Sequence, residues 1–292
     1  MGKRRLNIIG CGKVAKTLAR LWSSAGTFEI CDVLNRSSGS AVNAVKFLEH
    51  GRAIQSLAEM RGADVYLIGT ADSEIPFIAK SLSETMLLKS GDIVFHLSGA
   101  LSSCELSAAK SCGASTASVH PLKSFADIGA SVLSFSGTFC AVEGDPQACK
   151  LLSEAIAQIG GDPQAISSDQ KTIYHASAVI VCNYLVSVLE LGLRGFEKSG
   201  MERSSALKAI EPLVKETVVN VFKYGTVDAL TGPIARGDHA VVERQLVEFG
   251  NWDPLYGRIY RDLGLIALEL SAAKGGKSQE ELSALSEILA SN

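Results

Sequence analysis

The chain has 292 residues, 47% of them hydrophobic, which is enough for a sizeable core in one large domain or two modest ones. Its formal net charge is only −3, so the composition excludes the basic surface of a nucleic-acid-binding protein and a basic anchor for acidic lipids. The seven cysteines are scattered, with no CxxC pair and no Cys/His cluster at metal-ligand spacing. This pattern predicts reduced thiols in a cytoplasmic protein and no metal site.

We expect neither an export signal nor a membrane-spanning segment in this sequence. The start, MGKRRLNII, is charged like a signal peptide, but its apolar run LNII ends at a glycine. The longest uncharged run, Ala176–Leu189, is too short to span a bilayer, so it predicts a buried helix and no membrane partner.

The first half of the chain alternates between strand and helix patterns. Strands are predicted at Leu6–Ile9, Glu29–Leu34, Asp64–Ile68, Asp92–Leu97, Ser115–Val119 and Thr138–Val142. Helices are predicted at Lys13–Ala25, Ile75–Leu87 and Pro146–Ile159. This alternation predicts an α/β domain with a doubly wound, mostly parallel sheet that is covered on both faces.

The second half of the chain has only helical patterns, which predicts an all-α domain. Helices are predicted at Lys171–Lys198, Arg203–Tyr224 (with a kink at Pro212), His239–Phe249, Leu255–Lys274 and Ser278–Leu289. The change of pattern predicts a dinucleotide-binding domain at residues 1–168 and a helical domain at 169–292. The apolar faces of Ala176–Leu189 and Ile259–Leu270 predict a homodimer through the helical domain.

A glycine motif joins the first strand to the first helix. Residues 8–15 read IIGCGKVA, which is GxGxxA in this context. Gly10 permits a tight turn, Gly12 lets the backbone approach a pyrophosphate, and the helix start at Lys13 and Val14 stabilises an anion. The motif predicts a dinucleotide-binding loop, and the alternative is a tight turn without a ligand.

The end of the second strand indicates which dinucleotide is bound. NAD-binding domains place an acid there to hold the ribose hydroxyls, but here the tip reads Asn35, Arg36 and Ser37, and Asp32 lies too early inside the strand. A guanidinium pairs with a 2′-phosphate in bidentate fashion, so the tip favours NADP over NAD. The alternative is that Arg36 is a solvated loop residue.

Two later strand ends are expected to border the cofactor, because ligands of such sheets lie beyond the carboxyl ends of the strands. They carry Thr70 and Ala71 after one strand and Ser98 and Gly99 after the next. Small residues suit a flat ligand that lies against the backbone. Ordinary loop composition is the alternative.

Several polar residues are candidates for chemistry. His120, in the segment SVHPLKSF, follows a strand and either hydrogen-bonds a substrate or serves the structure. In KTIYHASAVIVCN, Lys171, His175 and Asn183 lie on about one face of a helix, and a polar stripe on an apolar helix is best explained if it faces a cleft. Lys171 would bind or protonate a carbonyl oxygen and Asn183 would orient the substrate. The alternatives are a solvated first turn for Lys171 and an interhelical hydrogen bond for Asn183.

The stretch Leu230–Asp238, LTGPIARGD, interrupts the helical half. It contains the RGD adhesion tripeptide, but adhesion requires an extracellular protein, which the cysteine pattern argues against. Gly232 and Pro233 predict a non-helical turn, with Asp238 capping the following helix. Because capping requires neither Thr231 nor Arg236, we expect Thr231, Gly232 and Arg236 to bind substrate, with the guanidinium on a carboxylate.

Together these motifs resemble the 6-phosphogluconate-dehydrogenase-like superfamily, which includes 3-hydroxyacid dehydrogenases, ketopantoate reductases and pyrroline-carboxylate reductases. The resemblance rests on the GxGxxA loop, the tip Asn35-Arg36-Ser37 and a helical half that opens with Lys171-x-x-x-His175. It implies an amino-terminal Rossmann domain and NADP as cofactor. Several members have Lys-x-x-x-Asn there, with both residues serving catalysis, and His175 departs from that pattern.

A particular branch is similar over essentially the whole chain. The motifs HPLKSF, YHASAV and LTGPIARGD look like the Rossmann-like NADP-dependent oxidoreductases that have a carboxyl-terminal domain of unknown function. Some branch members are linked to ketopantoate reduction, which implies a candidate substrate. In pyrroline-carboxylate reductases a Ser-Pro-Gly-Gly-Thr loop contributes to the substrate pocket, and LTGPIARGD looks like its counterpart.

Three functions are consistent with this sequence. The first is NADP-dependent reduction of a small 2-oxo acid, with Lys171 or His175 supplying the proton. The second is a nucleotide-sensing protein that keeps the cofactor fold without catalysis, for which the departure at His175 leaves room. The third is a prephenate-type or imine-acid dehydrogenase or reductase. The prephenate-type alternative rests on the HPL of His120–Leu122, which is similar to the His-Pro motif of prephenate and arogenate dehydrogenases.

Overall fold

The structure is a computed structural model that describes residues 3–290. The chain forms two compact units, Met1–Asn183 and Tyr184–Asn292. The predicted boundary between residues 168 and 169 lies inside the first unit, fifteen residues before the division between the units (183 minus 168). The position of the boundary between the two functional domains therefore stays a prediction.

The first unit is built on an eight-stranded sheet with the order β3-β2-β1-β4-β5-β6-β7-β8. All neighbouring strands are parallel except β6 and β7, which confirms the predicted mostly parallel sheet. The strands are β1 (Arg4–Ile9), β2 (Phe28–Leu34), β3 (Arg52–Ile54), β4 (Val65–Ile68), β5 (Ile93–His96), β6 (Ser115–Pro121), β7 (Phe139–Gly144) and β8 (Asp162–Ala165). The central strands β4 and β5 are buried along their whole length.

Helices cover both faces of this sheet and form two hydrophobic clusters with it. The helices of the first unit are α1 (Lys13–Ala25), α2 (Ser38–Leu48), α3 (Ile75–Ser83), α4 (Ser107–Ser111), α5 (Ile128–Leu133), α6 (Pro146–Gln158) and α7 (Lys171–Val179). Trp22 of α1 is fully buried and donates from Nε1 to the carbonyl oxygen of Ala155 in α6, 2.9 Å away. The sequence prediction omitted α2 and β3, whose SGSAVNAVKFL and RAI segments have weak periodicity.

The second unit is entirely helical in the residues that the structure describes, as predicted. Its helices are α8 (Leu185–Lys198), α9 (Arg203–Ala229), α10 (Gly232–Arg236), α11 (His239–Trp252), α12 (Pro254–Lys274) and α13 (Gln279–Ala290). The backbone of α9 leaves helical geometry at Gly225, where φ is 81°, and not at Pro212 as the sequence predicted. Only glycine adopts this φ without strain, which explains why the break occurs at Gly225. The break lies one residue after the predicted helix end, Tyr224.

The long apolar segment that the sequence predicted as a buried helix is exposed in the single chain, so this prediction is wrong. The helix α7 passes into a π-helical turn, Ile180–Tyr184, in which none of the side chains is buried. The side chain of Val181 is 71% exposed. By length and composition, one helical segment of residues 3–290, Ser168–Lys198, could cross a membrane, so the expectation that the apolar segment is too short is wrong for the helix as a whole; a single such helix is weak evidence for a membrane span.

Candidate active site at the carboxyl edge of the sheet

The strand order reverses between β1 and β4, and the glycine loop lies at this switch point, where doubly wound sheets bind ligands. Gly10 has φ of 85°, and a Cβ there would lie 2.6 Å from the backbone nitrogen of Thr70. Gly10 is therefore required for the close approach of the loops after β1 and β4. The hydroxyl oxygen of Thr70 is buried without a hydrogen-bond partner in the described part of the chain.

The start of α1 has room for an anion. A Cβ on Gly12 would meet only the carbonyl oxygen of Gly69, at 3.7 Å, and no side chain caps the helix within residues 3–290. The first backbone N–H groups of a helix, here those of Lys13 and Val14, have no intrahelical acceptor and are available to a phosphate. The side chain of Lys13 instead donates to the carbonyl oxygen of Ala126, 2.7 Å away. The loop therefore fits a pyrophosphate through its backbone.

The tip of β2 has two structural residues and one cation, Arg36, that has no ion pair within residues 3–290. Asn35 Oδ1 accepts from the backbone N–H of Cys11 at 2.6 Å, which ties the tip to the glycine loop. Ser37 caps α2 by accepting from the N–H of Ser40. Arg36 is exposed and has no ion pair within residues 3–290. Of the three predicted cofactor contacts at this tip, Arg36 is the one whose charge is unused.

Asp32 does not take the place of the missing acid at this tip. It is buried inside β2 and ion-paired with Arg52 at 2.9 Å and Arg61 at 2.7 Å. Burial alone would raise the pKa of this carboxyl, but the hydrogen bonds from Arg61 and Arg52 outweigh burial and lower the pKa to about 2. Asp32 is thus a structural anion whose oxygens are already occupied, which agrees with the sequence prediction.

The loop after β5 is closed by its own side chain. Ser98 Oγ donates to Asp72 at 2.7 Å and accepts from the N–H groups of Ala100 and Leu101. The Ser98 hydroxyl is therefore used within the protein, although it was predicted to bind cofactor. Gly99 is buried and Ala71 is exposed.

Two histidines from different elements converge on Gly99. A Cβ on Gly99 would contact Nδ1 of His175 and would lie 2.8 Å from Nε2 of His120. The two imidazole rings are edge to face, with their centroids 5.6 Å apart. Nδ1 of His175 is buried and has no hydrogen-bond partner within residues 3–290. An orphaned ring nitrogen at this position indicates a site for a polar ligand group.

Lys171 lies behind this site and does not face an open cleft in the first unit, contrary to the expected polar stripe. It is 1% exposed, and its Nζ donates to the Ser98 carbonyl oxygen at 2.7 Å and to the Ser118 hydroxyl. Its ion-pair partner is Glu143 of β7, at 3.7 Å. Burial lowers the pKa of Lys171 to about 8, and the charge of Glu143 opposes this shift.

Sequence reasoning missed Glu143, although an acid directly after the predicted strand Thr138–Val142 could have indicated it. Glu143 is 3% exposed and accepts hydrogen bonds from the backbone N–H and the hydroxyl of Ser103, both at 2.8 Å. It also accepts a hydrogen bond of 2.5 Å from the hydroxyl of Ser168. Glu143 and Lys171 form a buried pair that supports the Ser98–Gly99 loop from below.

A pocket of about 340 Å³ lies beside the histidines, within the first unit. His120 lines it from β6, His175 from α7 and Asn183 from the π-helical turn, so the structure brings these three predicted residues together. Leu122, Val179 and Val181 supply apolar walls. The pocket combines polar and apolar contacts, as small-molecule sites do.

The remaining predicted substrate residues lie in the second unit. Thr231 directly precedes α10, which begins at Gly232 and ends at Arg236. The expected non-helical turn is therefore wrong. The physical reason is that proline in the first turn, here Pro233, favours the start of a helix. The Arg236 guanidinium pairs with Asp238 at 3.1 Å. Asp238 forms no side-chain cap on α11, which corrects that prediction, and its backbone carbonyl oxygen accepts from Val241 and Val242 instead.

Comparison with known proteins gives two family matches. Residues 2–121 match a Rossmann-like domain, and residues 138–266 match a domain of unknown function (DUF2520). No curated protein matches the sequence.

Solved structures resemble both units. The protein TM1727 from Thermotoga maritima is 26% identical, with a TM-score of 0.71, over 92% of this chain and 99% of that chain. A candidate NADP oxidoreductase from Bacteroides fragilis is 20% identical, with a TM-score of 0.71, over 93% and 99%. A pyrroline-5-carboxylate reductase from Coxiella burnetii is 16% identical, with a TM-score of 0.59, over 98% of each chain.

These matches confirm the resemblance that the motifs indicated. The Rossmann-like model covers the strands that form the glycine loop and the edge around Gly99, and the second model begins before β7 and continues through most of the helical half. The chain therefore combines a region that matches a Rossmann-like domain with a following region that matches the DUF2520 domain.

Proposed function

We propose that the protein is an NADP-dependent oxidoreductase that reduces a carbonyl or imine group of a small acid. The observation that carries this proposal is the convergence of His120 and His175 on Gly99, at the edge of the sheet where the glycine loop also lies. A nucleotide-binding loop alone would fit a sensor protein. Two histidines and a pocket beside it supply hydrogen-bonding groups for a reaction.

The residues of the first unit fit NADP. The backbone at Gly12, Lys13 and Val14 would hold the pyrophosphate, and Arg36, which forms no ion pair within residues 3–290, would hold the 2′-phosphate. When bound, the reduced cofactor supplies a hydride. The Bacteroides fragilis structure is described as that of an NADP oxidoreductase, which supports the same cofactor.

The candidate catalytic residues have different roles in this proposal. His120 and His175 contact the group that is reduced, and Asn183 orients the substrate within the same pocket. Lys171 is buried and donates a hydrogen bond to the carbonyl oxygen of Ser98, so it stabilises the loop. Its positive charge also contributes to the electrostatic potential of the site. Arg236, Thr231 and Gly232 lie in the second unit, where the Arg236 guanidinium pairs with Asp238, and their role in binding a carboxylate stays a prediction.

The proposed substrates are small 2-oxo acids, and ketopantoate is the first candidate because of the branch resemblance. The similar fold of a pyrroline-5-carboxylate reductase adds cyclic imine acids as a second class. Both classes combine a carboxylate with a C=O or C=N bond that a hydride can reduce, so one pair of histidines would serve either.

The test is an assay of the purified chain with NADPH and a panel of 2-oxo acids and cyclic imine acids. We expect NADPH oxidation with at least one of them, and weaker activity with NADH. NADPH binding without turnover of any panel member would exclude the reductase function for these classes and favour the nucleotide-sensing alternative. A prephenate-type activity would instead appear as NADP⁺-driven oxidation of prephenate with loss of CO₂.

A further inference from the structure

Tyr174 makes a specific contact with His120 that the sequence did not predict. Its hydroxyl oxygen lies 3.1 Å from Nδ1 of His120, and the two rings are edge to face with centroids 5.7 Å apart and an interplanar angle of 87°. Within residues 3–290, this is the one hydrogen bond of the Tyr174 hydroxyl. Tyr174 precedes His175 in α7, so one helical turn supplies both neighbours of His120.

The hydroxyl contact determines which nitrogen of a neutral His120 carries the hydrogen. A neutral imidazole has one N–H donor and one acceptor nitrogen. If Nδ1 donated to Tyr174, the phenolic hydrogen would have no acceptor in the described part of the chain. If Tyr174 donates to Nδ1, the phenolic hydrogen and Nδ1 are both paired, and the imidazole hydrogen lies on Nε2.

The surroundings keep both groups neutral near pH 7. Burial lowers the pKa of His120 to about 4, His175 and Lys171 lower the pKa as well, and Asp72 opposes the shift. Burial raises the pKa of Tyr174 to about 12, and the Cys140 thiol adds to this shift. These residues are the titratable groups that face the pair from α7, from the loop after β4 and from β7.

The second nitrogen of His120 points at the site. A Cβ on Gly99 would lie 2.8 Å from Nε2 of His120, so this nitrogen faces the loop at the carboxyl edge of the sheet. An N–H at this position is aimed where the proposed function puts the carbonyl or imine group. A neutral donor fixed by a second residue is a preorganised hydrogen bond for developing negative charge.

We propose that Tyr174 is a positioning residue, which donates to Nδ1 of His120 and thereby presents the Nε2–H of a neutral His120 to the C=O or C=N bond that is reduced. This inference rests on the proposed function. His120 then polarises the bond without giving up its hydrogen, because losing it would leave an imidazolate. The proton that completes the reduction comes from a second donor, a role that the adjacent His175 fills only as an imidazolium, because a neutral ring would again leave an imidazolate.

The tautomer can be measured without any substrate. In NMR spectra of the full chain labelled with ¹⁵N-histidine, we expect the His120 signal to show an unprotonated Nδ1 and a protonated Nε2 from pH 6 to pH 8. The chain has five histidines, so the His120 signal is the one that His120→Gln removes. A hydrogen on Nδ1, or a charged ring in this range, would overturn the inference while leaving the reductase proposal standing.

Kinetics of Tyr174→Phe test the consequence for activity. We expect kcat to fall about 10-fold with an unchanged KM for NADPH, and the NMR signal of His120 to show mixed tautomers, because partners that fix a histidine tautomer contribute effects of this size. In a His120→Gln background, Tyr174→Phe should have no additional effect. The matched control is Tyr224→Phe, which removes a hydroxyl from a tyrosine that is 53% exposed.

The outcomes separate the two proposals. Additive effects of the two substitutions on kcat would contradict a role of Tyr174 through His120. If the wild type shows the expected tautomer but reduces no panel member, the proposed function fails and the hydrogen-bond assignment stands. If Tyr174→Phe does not fold, the wild-type NMR spectrum still decides the tautomer.

Discussion

At the scale of single residues, two polar side chains of α7 have different roles at the Ser98–Gly99 loop. Lys171 and His175 lie one helical turn apart in α7, yet the lysine is buried in an ion pair with Glu143 and the histidine has an orphaned ring nitrogen. The ion pair is satisfied within the protein, so it supports the loop. The histidine nitrogen has no partner within residues 3–290 and is buried against Gly99.

Arg36 is predicted to select the cofactor. Arg36→Ala should raise KM for NADPH about 10-fold or more and leave KM for NADH nearly unchanged, because a charged contact to a 2′-phosphate contributes roughly 1.5–3 kcal/mol. Steady-state kinetics with both cofactors measure this ratio. Arg4→Ala, which removes a charge at the other end of β1, is the matched control. Equal effects on both cofactors would argue against 2′-phosphate binding.

The Lys171–Glu143 pair is predicted to matter for stability. Lys171→Met leaves the buried Glu143 without its cation, so the free energy of unfolding should fall by about 3 kcal/mol. Lys171→Met combined with Glu143→Gln should recover part of this loss. Urea denaturation followed by circular dichroism measures both. Lys110→Met, in a solvent-exposed pair, is the control and should change little. A wild-type-like Lys171→Met would contradict the assigned burial.

At the scale of elements, the sequence was a good guide to regular strands and helices and a poor guide to what they contact. The glycine loop and α1 were predicted with the observed bounds Lys13–Ala25, since the motif and the 3.6-residue period agree. The helical turn Gly232–Arg236 and the π-helical turn Ile180–Tyr184 were missed, because propensity and periodicity are weakest in such short segments. The contacts of Glu143 and Tyr174 depend on strand register and helix rotation, which no local pattern specifies.

Two histidines near the ends of β5 and β6 are predicted to make the folded state less stable at acid pH. Burial lowers the pKa of His96 to about 4, and the pKa of His120 is lowered to a similar value. Their ordinary pKa is 6.5, so unfolded histidines bind protons that the folded ones do not, and stability is lost as pH falls from 6.5 towards 4.

Urea denaturation between pH 4 and pH 8 tests this acid sensitivity. The free energy of unfolding of the wild type should fall below pH 6.5, and His96→Gln should show a weaker pH dependence. His96 accepts from the Ser98 N–H at Nδ1, so a charged ring would also break that hydrogen bond. An identical pH dependence in the variant would show that His96 is not buried as a neutral group.

At the scale of the whole molecule, we propose a homodimer, because apolar side chains on several helices are exposed in the single chain. Val181 is 71% exposed, Val186 is 67% exposed and Phe222 is 86% exposed in the single chain. Exposed apolar patches of this kind mark interaction surfaces, and a second copy is the partner that the sequence analysis expected. A cytoplasmic location without a membrane or nucleic-acid partner likewise stays a proposal.

Light scattering after gel filtration tests the dimer. The wild type should have twice the mass of one chain, and Val186→Glu should shift the mass towards one chain, because a carboxylate would be buried in the interface. Glu216→Gln, on an exposed position of α9, is the control. A monomeric wild type at micromolar concentration would contradict the proposal and would leave the exposed apolar helix to another partner.

The most direct test of the reductase proposal follows the hydride itself. The full chain is incubated with each panel compound and NADPH that carries deuterium at C4 of the nicotinamide, in both stereochemical forms, and the products are analysed by mass spectrometry. We predict one deuterium on the reduced carbon from one of the two forms, and no transfer in the His120→Gln, His175→Gln double variant. NADPH binding with no deuterium in any product would contradict a reductase acting on these compounds.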